Sequence, residues 1–454
     1  MGVRKQITIP EKYNKYKDED GRIPLWSYSK VSSAGVDSCS WEYYLGRIKK
    51  LPGVSNSYAI LGGFAHDILE EYYNGNLKYE QMKEQFETKW LEAEMAGIKL
   101  YNDEEKNEKM MEEYKHDILN FFETHRDLGK VLTERELWVD VNGNVFFGYS
   151  DALTKKDDGY TYIIDWKTST LYKGDQIRQH QHQLLLYALA LEEMGIPLDK
   201  IKICWNFLKY TNVTFKHMTT VTYVETVKDK SKTKTSTCLK SEWVSKVKTQ
   251  LKKDLQAYDE ELTTQQLKEL VNECVENNSL ETLPKEIQDK YVLNDVVKTV
   301  RRHKWVKESP IQTQLRKDLK LAEVDEITTE MKLVECADLN SLEPLKDLID
   351  ISKYVLEDAY VYGIINDETV EDLKRSLCEN IEIIKANGED EAKWERLLPI
   401  GEQDSFYCSV LCSQRKNCKY YDKYKKQKEM YTAEGCVERQ EMSNDSLLDE
   451  LMNL

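Results

Sequence analysis

Residues Gly148 to Lys167 read GYSDALTKKDDGYTYIIDWK, placing Asp151 at the start of one strand and Asp165-Trp166-Lys167 at the end of the next. Tyr160, Tyr162, Ile163, Ile164 and Trp166 make an apolar, β-prone run, so Asp165 closes a strand that reads as buried. Two hairpin-linked strands can aim two carboxylates and an ammonium at one point. Asp151 and Asp165 are hard oxygen ligands suited to Mg²⁺ or Mn²⁺. Lys167 lies two residues after Asp165, so on an extended strand both side chains leave the same face. A lysine there can orient or help deprotonate an attacking water and offset charge on a pentacovalent phosphate. A solvated hairpin would also carry Asp and Lys, and the D-x-K spacing alone does not separate the two readings. The apolar flanks favour metal-dependent phosphodiester cleavage.

Working outward, the strands are expected over Glu134–Val141, Val145–Leu153 and Tyr160–Lys167, with turns at Asn142-Gly143 and Asp157-Asp158-Gly159. Residues 25 to 130 read as helices, including Glu80–Ala96 and Asp103–Thr124. Downstream, Gln176 to Leu191 reads as one helix with Gln179, Gln183 and Tyr187 on one stripe, and Leu184, Leu185, Ala188 and Leu191 toward the core. Upstream, Gly62-Gly63-Phe64-Ala65-His66 is expected to open another helix, continuing through Tyr72. Its glycines would allow close packing, and a neutral His66 imidazole could complete a metal shell. Ile201–Tyr210 and Thr219–Val227 are expected as two further strands. Mixed strands flanked by helices define an α/β core.

Together these residues resemble the RecB/AddB branch of the PD-(D/E)XK nuclease superfamily, including the iron-sulfur exonucleases associated with CRISPR adaptation. The pieces occur in that family's order: Trp26-Ser27-Tyr28-Ser29 with Cys39-Ser40-Trp41-Glu42-Tyr43-Tyr44, the helix reaching His66, Gly148-x-x-Asp151, Asp165-x-Lys167, Gln183-x-x-x-Tyr187, and a late cysteine cluster. The resemblance covers roughly residues 25 to 225 and 400 to 425. It implies a restriction-endonuclease-like core with a large helical insertion. It also implies that His66, Asp151, Asp165 and the backbone carbonyl of Trp166 hold metal, that Lys167 is the catalytic lysine, and that Gln183 and Tyr187 position substrate backbone. Ser150 stands where the superfamily motif has proline.

The chain has ten cysteines. No signal peptide or long apolar span is visible, so disulfides are not expected and an intracellular, cytoplasmic setting is. Cys204, Cys238, Cys274, Cys336, Cys378 and Cys436 sit singly and read as small hydrophobes. Cys408, Cys412 and Cys418 crowd FYCSVLCSQRKNC and call for a soft metal or, without metal, a structural reason for their closeness. In the resembled family an early cysteine, here Cys39, joins three late ones around a [4Fe-4S] cluster. Three residues separate Cys408 from Cys412, where the family has two. The rival reading is structural Zn²⁺ on Cys408, Cys412, Cys418 and Cys436.

At 454 residues the chain exceeds one mean-sized domain. The expected layout is a polar N-terminal arm over 1–24, a nuclease core over 25–227, a basic segment and helical insertion or cap over 228–400, a cysteine segment over 401–436, and an acidic tail over 437–454. No internal repeat is read. Lysine-rich 228–253 reads either as a solvated loop entering an amphipathic helix or as a phosphate-gripping flap, and residues 243 to 400 read as largely helical. Arg301-Arg302-His303-Lys304-Trp305 could stack a base or be a helix end packing its tryptophan. The net charge of −16 argues against indiscriminate duplex coating. The substrate expected is therefore a threaded strand or end of DNA, with a separate helicase or recombination protein as partner, because no Walker-type segment occurs. A catalytically silent end-binding subunit and a structure-specific endonuclease are the alternatives.

Overall fold

In the computed structural model of this chain, the described residues are 8–35, 38–101, 103–227, 230–394 and 407–421. The polypeptide runs through Leu25–Trp26 (β1), Tyr28–Ser32 (α1), Ser40–Tyr43 (α2), Ser57–Tyr73 (α3), Met82–Met95 (α4), Glu104–Thr124 (α5), Val131–Val141 (β2), Asn144–Lys155 (β3), Thr161–Lys167 (β4), Asp175–His180 (α6), His182–Glu193 (α7) and Ile201–Val227 (β5). There follow Lys230–Leu239 (β6), Trp243–Tyr258 (α8), Thr264–Asn277 (α9), Lys285–Gln288 (α10), Val292–Arg302 (β7), Ser309–Leu321 (α11), Glu326–Leu339 (α12), Val355–Tyr362 (β8) and Asp367–Asn387 (α13). Two units result, Met1–Lys209 with Asp358–Leu454, and Tyr210–Glu357. The sequence reading draws these boundaries at 227/228 and 400/401.

In the first unit Asn142 and Gly143 both take positive φ, which lets β2 and β3 close antiparallel with Val141 opposite Asn144. β3 and β4 are antiparallel, with Ala152 opposite Ile164, whereas β4 and β5 are parallel, with Asp165 opposite Trp205. The parallel pair requires a crossover, supplied by α6 and α7. β1 adds a second parallel pairing, Trp26 to Phe146. The sheet is thus mixed and flanked by helices, as the α/β reading expects. β4 is buried on both faces, which explains why Tyr162, Ile163 and Ile164 follow one another without polar alternation. Ile164 and Trp166 pack with Leu61, Ile68, Phe86, Trp90, Ile118 and Phe122 of α3 to α5. A fully buried side chain such as Ile164 stabilises by about 1.5–3 kcal/mol.

Several expectations are corrected. Gln176–Leu191 is not one helix: it breaks at Gln181, which is buried and whose side chain accepts the Ile364 N–H at 2.9 Å. Of the N-terminal segment, expected as a loose arm or a docking segment, residues 11–16 form a 3₁₀ turn that docks. Tyr13 there is 1% exposed and its ring lies 5.9 Å from Trp138. Ile201–Val227 is a single strand, not two. The described part of the lysine-rich stretch is not a loop: β6 pairs antiparallel with β5 and leads into the expected helix, α8. Strands β7 and β8 interrupt the stretch expected to be largely helical. Trp305 is 2% exposed in a hydrophobic core and therefore presents no stacking face.

The second unit contains an internal duplication that the sequence reading passes over. Trp243-Val244, Lys253-Asp254-Leu255, Glu273-Cys274, Asn278-Ser279-Leu280-Glu281 and Lys290-Tyr291-Val292-Leu293 recur in order as Trp305-Val306, Lys317-Asp318-Leu319, Glu335-Cys336, Asn340-Ser341-Leu342-Glu343 and Lys353-Tyr354-Val355-Leu356. The folds repeat with them. Each copy packs a helix pair into its own core, and Val244, Leu251, Leu255, Val271, Cys274, Leu283 and Ile287 of one match Val306, Leu315, Leu319, Leu333, Cys336, Leu345 and Ile349 of the other. Even the polar contacts recur. Tyr291 and Tyr354 each donate to the aspartate of their copy, Asp254 and Asp318, at 2.7 Å. Asn278 and Asn340 both end their helices in the left-handed region and each accepts the N–H of its copy's valine at 3.3 Å.

Candidate active site

One step along the antiparallel ladder from Ala152 and Ile164 brings Asp151 across from the Asp165 end of β4. The Trp166 N–H donates to Asp151 Oδ2 at 2.9 Å, fixing that carboxylate from the neighbouring strand. Asp165 is 5% exposed, and its Oδ2 lies 2.6 Å from Lys167 Nζ. That ion pair is off the line of a good hydrogen bond, so the oxygen keeps a lone pair to offer. His66, on α3, brings Nδ1 within 3.4 Å of Asp151 Oδ2 and sets its ring edge-on to Trp166. Tyr73, two turns further along α3, stacks on that indole at 6.1 Å.

Two glycines make this approach possible. A Cβ on Gly62 would stand 2.6 Å from Thr168 Oγ1, so only glycine lets α3 seat against the residue after Lys167. A Cβ on Gly148 would stand 2.9 Å from the Tyr187 ring. Gly63, by contrast, has open space. Gln183 donates to the Tyr187 hydroxyl at 3.0 Å.

The electrostatics follow from burial. Desolvation, then the charge of Asp165, pushes the Asp151 carboxyl up to about 7, although Lys167 and the Trp166 N–H pull the other way. Burial lowers the His66 value, so its imidazole is neutral near pH 7 and suited to ligation. For Lys167 burial acts downward and is the largest single influence, but the charge and close contact of Asp165, with the charges of Tyr172 and Asp151, together outweigh it and hold the ammonium above its ordinary value. The Tyr187 hydroxyl is pushed up to about 12 by burial, with Asp165 and Asp151 adding to it, which places it within electrostatic reach of the acidic pair. His66, Asp151, Asp165, Trp166, Lys167, Gln183 and Tyr187 therefore gather in one neighbourhood. Among the described residues, no three His, Cys, Asp or Glu side chains are drawn tightly enough together to hold a metal ion as they stand.

The cysteines expected to act together also meet. Cys39, Cys408, Cys412 and Cys418 line one cavity with Trp41, Glu42, Tyr407 and Arg415. Its walls are tied by the Tyr407 hydroxyl and the Ser413 N–H, which donate to Glu42 at 2.6 and 2.9 Å. Burial pushes the Cys39, Cys412 and Cys418 thiols up, and the Glu42 carboxylate adds to each. Of the single cysteines, Cys204, Cys274 and Cys336 are buried, and Cys238 and Cys378 half-buried. Cys436, needed for the zinc alternative, lies outside the described residues, as does the acidic tail.

Sequence reasoning missed other residues of the site. Tyr172 and His180 stack at 4.1 Å, and both feel the charges of Lys167 and Asp165. Glu134 adopts φ 45°, in the left-handed region uncommon for such a residue, where the β2–β3 ladder skips a pair opposite Asp151, and its charge reaches His66. No local signal marks Glu134. The aromatic Tyr172 and His180 flanking the glutamine helix could have been noticed.

A mixed sheet that ends two neighbouring strands in carboxylates, with a lysine two residues beyond the second, is the architecture of a phosphodiester-cleaving nuclease core. A family model of the PD-(D/E)XK nuclease superfamily matches residues 26–282, and the chain belongs to that superfamily. No curated protein matches the chain. Among the described residues, no helix is long and apolar enough to cross a membrane.

Proposed function

We propose that this chain is a metal-dependent DNase of the RecB-like type, acting as an exonuclease on single-stranded or frayed DNA ends in recombination, repair or replication. The observation that carries this reading is the meeting of His66, Asp151 and Asp165 beside Lys167. The donor set fits Mg²⁺ or Mn²⁺: two carboxylates, one with a buried oxygen lacking a hydrogen bond, and a neutral imidazole. His66, Asp151, Asp165 and the Trp166 carbonyl would hold the ion, which when bound supplies Lewis acidity to the scissile phosphate. Lys167, fully protonated near neutral pH, orients the attacking water and offsets charge building on the phosphate. The Trp166 N–H keeps Asp151 aligned, and Gln183 with Tyr187 holds the substrate backbone.

The same proposal includes a [4Fe-4S] cluster on Cys39, Cys408, Cys412 and Cys418. Four thiols around one cavity, three of them (Cys39, Cys412 and Cys418) raised by burial, support it, because a bound cationic cluster favours the thiolates that burial penalises. Iron content and brown colour in anaerobically purified protein are expected. A colourless preparation with stoichiometric zinc defeats the cluster.

The nuclease reading is tested with end-labelled single and double strands, and with closed circular single strands, with and without Mn²⁺. Stepwise shortening of linear strands, absent for circles and lost in Lys167→Ala, is expected. Cleaved circles would assign an endonuclease, and no metal-dependent cleavage of any substrate would leave a silent end-binding subunit.

A further inference from the structure

The loop that follows Lys167 carries an aromatic pair to the catalytic face of the sheet. Residues 168–174 leave β4, and Gly174, at φ 53°, turns the chain into α6. α6 ends at His180, next to the break at buried Gln181. That path brings His180 back onto Tyr172, and the two rings stack at 4.1 Å with 17° between their planes. Tyr172 rests in turn on β5, meeting Trp205 and Phe207 edge-on, each at 5.1 Å. Those two residues are the ladder partners of Asp165 and Lys167. Partners in a parallel ladder project from the same face, one strand spacing or about 4.8 Å apart. The aromatic stack therefore stands one strand over from the carboxylate and the ammonium, and both of its rings sense their charges.

The two rings differ in cover. Tyr172 is half-buried between β5 and His180, whereas His180 is exposed although one face of its ring lies on Tyr172. Partial burial, then the charge of Lys167, lowers the His180 value, so its ring is neutral near pH 7. A neutral imidazole does not grip phosphate; what it offers is a flat π face. Beside a centre that binds a phosphodiester, the group that arrives with a matching face is the base of an adjoining nucleotide. The size of the interaction decides which base. Stacking one base on an aromatic ring gains about as much as taking one paired base out of a duplex costs, so such a platform holds a base that is already free and does not extract one.

We propose that His180, seated on Tyr172, is a base-stacking subsite that takes an unpaired nucleobase of the strand being cut. The subsite rests on the nuclease reading for the phosphate site beside it and deepens that reading: single-stranded and frayed ends are selected because they bring a free base to His180. Trp205 and Phe207 hold Tyr172, and Tyr172 fixes the plane of the platform.

The test is a binding cycle with the full chain, read by fluorescence anisotropy in Ca²⁺ with labelled single strands of DNA in which one nucleotide at a time, counted from the end, is abasic. In the wild type, losing the base at one position is expected to weaken binding about five-fold or more. In His180→Ala that penalty should vanish at unchanged melting temperature, and in His180→Phe, which keeps a flat ring, it should remain. A blunt duplex should bind His180→Ala as it binds the wild type. A flat scan in the wild type, a penalty that persists in His180→Ala, equal weakening for the blunt duplex, or no binding of single strands overturns the subsite. None of these readings depends on turnover. A base-specific penalty without metal-dependent cleavage would keep the subsite and defeat the nuclease reading, whereas Lys167-dependent cleavage with a flat scan would do the reverse.

Discussion

Replacing Asp151 with asparagine should stabilise the metal-free protein while destroying its chemistry. Asp151 and Asp165 share a desolvated corner, and the Asp151 carboxyl is raised from 3.8 to about 7, by burial first and by the Asp165 charge second. The folded protein therefore binds this proton more tightly than the unfolded chain does. Its contribution to stability is fully present below about pH 4, is lost progressively as pH rises, and is gone above about 7. At about 1.4 kcal/mol per pH unit, keeping Asp151 ionised costs about 4 kcal/mol at most. Asparagine removes that charge yet retains an oxygen to accept the Trp166 N–H, so a gain of about 1–3 kcal/mol near pH 8 is expected after relaxation and water penetration are allowed for.

The assay is thermal unfolding in chelator across pH 4 to 9, wild type against Asp151→Asn. The wild type should lose stability between pH 4 and 7 relative to the variant, and the two should run parallel above that. Added Mn²⁺ should reverse the order, since only the wild type offers two carboxylates. Because the ion must displace the Asp151 proton, its apparent affinity should fall about ten-fold per pH unit below about 7. A variant no more stable than wild type near pH 8, or a metal affinity flat from pH 5 to 7, would refute the argument that this carboxyl is held in its acid form by the fold.

Other consequences are as concrete. Lys167→Ala should abolish detectable cleavage yet bind labelled single strands nearly as wild type in an anisotropy titration; retained turnover would remove Lys167 from the chemistry. Gly148→Ala drives a Cβ into the Tyr187 ring and should cost about 1–3 kcal/mol, and Tyr187→Leu in the same chain should restore stability without restoring activity. Cys39→Ser and Cys412→Ser should each lower iron content and visible absorbance in anaerobic protein to a similar extent, although these cysteines lie far apart in sequence. Unequal loss would separate them into different sites.

Residues whose meaning depends on a strand or helix period could be read directly. The β3–β4 hairpin, its two aspartates and Lys167 follow from alternation and turn chemistry, and the Asn142-Gly143 turn lies where its positive φ values require it. What escaped reading depends on partners far away in sequence. Gln181, where the helix is interrupted, turns its side chain to the distant Ile364 N–H, and Glu134 leaves the regular ladder beside Asp151, neither of which its neighbours in sequence reveal. Tyr13 is buried against Trp138 and Val145, which lie far from it in sequence. The duplication was legible in principle, from Trp-Val, Asn-Ser-Leu-Glu and Lys-Tyr-Val-Leu recurring in order, but a two-residue shift between Val306 and Leu315 breaks the period that would reveal it.

The second module's last strand explains how a core interrupted by so long an excursion stays closed. β8 begins with the repeat's own Tyr354-Val355-Leu356 and ends within the first unit, where Asp358 meets His125 Nδ1 at 2.7 Å and Asn206 at 3.0 Å. His125 passes the connection on through Nε2 to Tyr73 at 2.7 Å, and Tyr73 stacks on Trp166, the residue whose N–H holds Asp151. All of these groups are buried or half-buried, so deleting one leaves its hydrogen-bond partner unsatisfied and costs about 1–3 kcal/mol. The repeat position equivalent to Asp358 in the first module, Asp295, is instead ion-paired with Lys216 and Lys240. Duplication thus supplied an aspartate at the end of each module, and only the second was drawn into the core. The return of the chain is thereby coupled to the alignment of the catalytic strand.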